Sequence, residues 1–152
     1  MLEVTEQRLA SAKNRVDDWI DLNILTWAKE EILLPAQQDI SQSVSPRAAD
    51  GLSIEKTGRM KVDLVWEFLS DTGAPIHFFI EYGTQPHTIT ASNAKALHWK
   101  GPSGINHFAT VVQHPGTEAR NLVHIIEEER RGALRQRIID EVTNHMETSK
   151  VG

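Results

Sequence analysis

From about Thr5 to Leu34, side chains suited to a buried face recur at steps of three and four residues. Leu9, Ala12, Val16, Trp19/Ile20 and Trp27, with Asn23 among them, fall on one side of a helical wheel. Asp17, Asp18, Asp21, Lys29, Glu30 and Glu31 mostly take the other side. That period predicts one long amphipathic helix. Pro35 is expected to stop it, since proline cannot donate the next backbone bond and disfavours helix at the residue before it. The stretch Gln37 to Gly58 is rich in Gln, Ser and Asp and contains Pro46, so it reads as a connecting loop with room for one short helix or strand. A connection of that length is unusual inside a compact domain, and such segments often serve as arms that order against a partner.

The period then changes from 3.6 to two. Met60, Val62, Leu64, Trp66 and Phe68 alternate with Lys61, Asp63, Val65, Glu67 and Leu69, the signature of a half-buried strand. Ser70-Asp71-Thr72-Gly73 carries turn chemistry, and Ile76, Phe78, Ile80 and Tyr82 suggest a second strand closing a hairpin. Shorter extended pieces are expected at His87–Thr90, Ala96–Trp99 and Phe108–Gln113, with a turn at Lys100–Gly104. At His114-Pro115-Gly116-Thr117 a strand-to-helix corner is expected. Pro115 would fix φ, Gly116 would permit the reversal, and the Thr117 hydroxyl would cap a helix running to about Glu147. Its apolar stripe is Ala119, Leu122/Val123, Ile126, Ala133/Leu134, Ile138, Val142 and Met146, with Arg130 in line and Gly132 as a weak point. Thr148 to Gly152 should fray. The fold class that follows is α+β: one domain over residues 1–152, with an antiparallel sheet of four to five strands packed by a long N-terminal and a long C-terminal helix, and 37–58 as an assembly arm.

Composition narrows the chemistry. The chain has 152 residues and no cysteine, which excludes disulfides, thiolate nucleophiles and Cys-based zinc sites. Its formal net charge is -5, and its lysines and arginines are dispersed, so the basic excess of a free-standing nucleic-acid binder is missing. No apolar run approaches a membrane span. Met1 to Arg8 carry acids and lack the layout of a signal peptide, so synthesis in the cytoplasm is expected.

Three short boxes stand in order. The first is Gly83, Thr84, His87 and Ile89; the second is Lys95, Ala96, Leu97 and Trp99; the third is His114, Pro115, Gly116 and Thr117. In this order and spacing, ahead of a terminal helix, the stretch Glu81 to Leu122 resembles the neck or tail-completion proteins of long-tailed phages. Leu122 stands where that family usually carries an aromatic. The first half of the chain matches the family only in layout. The resemblance implies a non-enzymatic virion protein at the head–tail junction. It would form a homo-oligomeric ring and contact head-closure, tail-terminator or tail-tube proteins, with genome DNA passing through unbound and no membrane involved. A tail-terminator ring capping the tail tube is the nearest alternative; a histidine-based metal module or small enzyme is the more distant one.

Each box also has a plainer reading. Gly83 and Gly116 suit tight bends, with a subunit contact as the sharper alternative. His87, His98, His107 and His114 could converge if the strands pair, but no two have helical i, i+4 spacing and no H-E-x-x-H occurs, so no metal or other cofactor is expected. Glu67 and Glu81 would face each other across the expected hairpin, yet nothing completes a catalytic site, and no catalytic residue is assigned. Glu127-Glu128-Glu129-Arg130-Arg131 reads as a solvated helix face or a docking surface, and Trp66 and Trp99 read as core.

Overall fold

A computed structural model describes residues 2–149, with side-chain surroundings from Thr5 onward. The elements in chain order are α1 (Leu2–Ala28), a π-helical turn (Lys29–Leu33), α2 (Leu34–Ser43), α3 (Pro46–Asp50), β1 (Leu52–Gly58), β2 (Lys61–Trp66), α4 (Ile76–Tyr82), β3 (His87–Thr90), β4 (Leu97–Lys100), β5 (Asn106–Ala109), β6 (Val111–His114) and α5 (Leu122–Thr148). The protein is therefore mixed helix and sheet, with long N-terminal and C-terminal helices. Among the described residues the expected sheet of four to five strands does not form: six strands pair two by two as β1–β2, β3–β6 and β4–β5. The chain divides into two compact units, one built from residues up to His77 together with Leu122 onward, the other from Phe78–Asn121.

The first unit holds the buried apolar core. Ile24, Trp27 and Ala28 of α1 are buried, as are Ala36 and Ile40, Ala48 and Ala49, Leu52 and Ile54, Trp66, and Ile126. The helical pattern does not end at Pro35. The turn before it widens, so that the Leu34 N–H donates to the Lys29 carbonyl five residues back. A π turn relieves the clash and the missing donor that proline brings, and the chain continues as α2 with Pro35 in its first turn, where no N–H is required. The segment 37–58 is accordingly not a loop. Ser45 caps α3 by accepting from the Ala48 N–H at 3.1 Å, Pro46 occupies a first-turn position, and Leu52 and Ile54 place alternate residues of β1 in the core. Much of the core comes from this segment, which removes the loop character on which the arm reading rested.

β1, not residues 76–82, is the partner of β2. The register pairs Leu52 with Trp66, Ile54 with Leu64 and Lys56 with Val62. The Trp66 indole N–H donates to the Ala48 carbonyl at 2.8 Å, so its polar edge is satisfied inside the core, as the sequence reading of Trp66 required. Acids on α1 hold the hairpin turn: Asp21 accepts from the Met60 N–H at 2.7 Å and pairs with Lys56 at 2.8 Å, and Asp18 pairs with Arg59 at 2.7 Å. These contacts hold the Asp21 carboxyl below its ordinary range, with the Lys56 hydrogen bond the first cause and the Met60 amide the second.

α5 begins at Leu122, not Thr117. Its stripe is centred on buried Ile126 and half-buried Leu134, Ile138 and Val142, while Ala133 and Met146 are exposed. Arg130 lies in this stripe because it reaches Asp39 of α2 at 2.8 Å, and Trp19 of α1 stacks on His145 at 4.3 Å. Among the residues expected to fray, Thr148 closes the helix and the Ser149 N–H donates to His145; Lys150 to Gly152 lie outside the described residues.

Candidate functional site

The second unit carries all three boxes. It begins within α4, where the sequence pattern had suggested a strand. Pro75 precedes this helix and Gly83, at φ +72°, follows it, the usual order of a proline start and a left-handed glycine stop. With residues 76–82 helical, the hairpin that would have set Glu67 opposite Glu81 does not exist.

The first and third boxes are locked together. The Thr84 N–H donates to the Thr117 carbonyl at 3.0 Å and the Thr117 N–H donates to the Thr84 carbonyl at 3.1 Å, while the two hydroxyls lie 3.1 Å apart. Each threonine follows a glycine in the left-handed region, Gly83 and Gly116 at φ +72° and +86°. A Cβ on Gly83 would collide with the Thr117 carbonyl and come within 2.8 Å of the Ala119 nitrogen. One on Gly116 would collide with the Thr84 carbonyl and come within 3.0 Å of the Gln85 carbonyl carbon. The two Gly-Thr pairs thus form a clasp that requires glycine for conformation and for space. Thr117 is a member of this clasp and not a helix cap.

From the clasp, β3 and β6 run antiparallel, with His87 opposite His114, Thr88 opposite Gln113 and Ile89 opposite Val112. The His87 and His114 rings stack with centroids 4.9 Å apart. Their hydrogen bonds differ: His87 Nδ1 donates to the Gln85 carbonyl at 2.8 Å, whereas His114 Nδ1 accepts from the Gly116 N–H at 3.0 Å and so braces the Pro115-Gly116 corner. The expected strand at Phe108–Gln113 is divided at Thr110 between β5 and β6, which serve different pairs. Of the second box, Leu97 and Trp99 lie on β4 and Lys95 and Ala96 in the bend before it; β4 runs opposite β5, where Trp99 stacks on His107 at 5.4 Å and His98 on Phe108 at 4.7 Å. A groove lined by Ile89, Leu97, Trp99, Val112 and His114 brings this box beside the first and third.

Outward-facing apolar surface is the unit's main feature. Trp99, expected in a core, is 41% exposed; Phe108 is 69% and Tyr82 64% exposed, and Phe78, Phe79, Ile105 and Val111 also face outward. No apolar side chain of the unit is buried; Glu81 is its one buried residue. Phe78, Phe79, Tyr82, Ile89 and the two stacked histidines line a groove of about 710 Å³. Histidines 87 and 114 converge in one place and 98 and 107 lie on the other strand pair, each with an aromatic neighbour. Among the described residues, no cluster of three or more His, Asp or Glu side chains could hold a metal ion, and no helix is long and apolar enough to cross a membrane. This arrangement suits recognition of another surface by stacking and apolar contact. No family model, no curated protein and no solved structure matches the chain.

Proposed function

We propose that this chain is a structural subunit of the head–tail junction of a long-tailed phage, made in the host cytoplasm and incorporated into the neck. Its task is to form a homo-oligomeric ring that completes the tail or joins it to the head; it catalyses no reaction. The observation that carries the reading is the unit of residues 78–121. The three boxes that resemble the neck and tail-completion family all lie in it, two are clasped through Thr84 and Thr117, and the surface around them exposes Tyr82, Trp99 and Phe108. Such an apolar surface is costly to leave in water, and a neighbouring subunit that covers it removes that cost. Two-stranded sheets are marginal by themselves, and a neighbouring subunit would steady them.

Deleting the gene from the phage that encodes it should leave filled heads and finished tails unjoined, with joining restored by the wild-type chain supplied in trans. Normal joined virions from the deletion would sink the assignment.

A further inference from the structure

Helix α5 has two faces of different character. Toward the rest of the first unit it turns buried Ile126 and half-buried Leu134 and Ile138. It is tied there by Arg130 to Asp39 at 2.8 Å, by Arg137 to Glu30 at 3.6 Å and by His145, which stacks on Trp19. The opposite face carries Ile125, Gly132, Ile139 and Met146, each seven residues after the last. All four are exposed, the isoleucines at 43% and 48%. Seven residues make nearly two helical turns, so these positions form one seam along the helix and not scattered apolar points. A Cβ at Gly132 would meet nothing within 4 Å, which leaves the middle of the seam open to a second backbone.

We infer that two copies of the chain pair along this seam in solution, α5 against α5, antiparallel and crossing at Gly132. The sequence around Gly132 selects both the occupant and the direction. Ile125 and Ile139 stand at equal distances on either side of it, so two reversed copies set each Ile125 against the other's Ile139, with Gly132 on the two-fold axis. Glu128 and Glu129 precede Gly132 on this face, and Arg135 and Gln136 follow it. Reversal places the acids of one helix across from Arg135 and Gln136 of the other, whereas a parallel pair would set acid against acid and arginine against arginine. Glu129 and Arg135 have no ion pair among the described residues; Glu128 lies 3.5 Å from His124, and Gln136 donates to Asp140 on the flank. The seven-residue spacing suits the shallow crossing, about 20°, at which two helices keep a seam in contact over several turns. A seam on one helix is smaller than a standard interface, so the Kd should be on the order of micromolar or weaker. The inference stands apart from the head–tail reading. A cyclic ring would point all its subunits one way and has no place for a two-fold contact, so this pair belongs to the free chain and would part on incorporation.

Because the chain has no cysteine, its register can be read by disulfide trapping. Ile125→Cys and Ile139→Cys are made in separate full-length chains, mixed and oxidised, and the linked peptides are identified by mass. The disulfide joining the two different chains should exceed either self-linked product by roughly tenfold or more. Gly132→Cys, on the axis, should link to its own kind. By sedimentation velocity, Gly132→Glu should weaken self-association by roughly tenfold or more, since it sets two like charges on the axis. Its melting temperature, taken at a dilution where the wild type is monomeric, should hold or rise, because the site is open and glutamate is the better helix former. A wild type that stays monomeric up to about 1 mM would overturn the inference. So would self-linked products of Ile125→Cys and Ile139→Cys in excess of the mixed one, or a Gly132→Glu chain that associates as the wild type does. None of these results bears on the head–tail assignment.

Discussion

Replacing Gly116 with alanine should be among the more damaging small substitutions in the second unit, and its cost can be assembled from the clasp. Gly116 has φ +86°, and forcing a residue with a Cβ into the left-handed region costs about 1–2 kcal/mol. The added carbon would also collide with the Thr84 carbonyl and approach the Gln85 and Pro86 backbone at 3.0 and 3.1 Å. Relieving that collision means separating Thr84 from Thr117, which loses two backbone hydrogen bonds, each worth about 1 kcal/mol net. The expected total is about 3–4 kcal/mol. Gly104 supplies the control, for it has φ +76° and nothing within 4 Å of a built Cβ, so Gly104→Ala should cost only the strain of about 1–2 kcal/mol. Removing the Thr117 hydroxyl, which is exposed and 3.1 Å from that of Thr84, should cost about 1 kcal/mol or less. Amide hydrogen exchange at Thr84 and Thr117, with denaturant titration of each variant, reads the opening of this unit directly. Equal effects of Gly116→Ala and Gly104→Ala would refute the close approach, and a larger effect of Thr117→Ala than of Gly116→Ala would refute the clasp.

Two further outcomes bear on the first unit. Ile40 is 1% exposed, so Ile40→Ala should destabilise it by about 2–5 kcal/mol in chemical denaturation, and a change under about 1 kcal/mol would place the residue outside the core. Asp21, whose carboxyl is held below its ordinary value of 3.8 by Lys56 and the Met60 amide, contributes stability that is present above that value and is lost as the pH falls through the lower folded-state pKa. Asp21→Asn should therefore be less stable than the wild type at neutral pH, with the gap closing in acid; a gap independent of pH would remove Asp21 from the account of the hairpin turn.

The elements with strong periodicity were legible, and those governed by a single punctuating residue were not. The 3.6 period of α1 and α5 and the alternation from Val62 to Trp66 reappear as helices and strand because each sets an apolar face against the core of the first unit. The segment 37–58 escaped because its core residues are small or widely spaced: Ile40, Ala48, Ala49, Leu52 and Ile54 are scattered among Gln, Ser and Asp and set up no sustained period. The pair Ser45-Pro46, a cap followed by a first-turn proline, was the available signal. Residues 76–82 alternate like a strand, yet Pro75 and Gly83 bracket them as a helix, and punctuation outweighed periodicity over so short a run. The bends at Gly83 and Gly116 were expected from glycine beside proline or threonine, but their mutual contact depends on pairing 33 residues apart, which no local pattern reveals. Trp99 was misplaced because a large aromatic is ordinarily buried, and its exposure became visible only when the second unit proved to have no apolar core.

A symmetry-averaged electron cryomicroscopy map of the virion neck would show directly where this chain resides and in what arrangement. The expected map has a closed ring of copies, sixfold or twelvefold, between head and tail, with Trp99 and Phe108 covered by protein. Copies scattered singly over the capsid, or a neck complete without this chain, would contradict it.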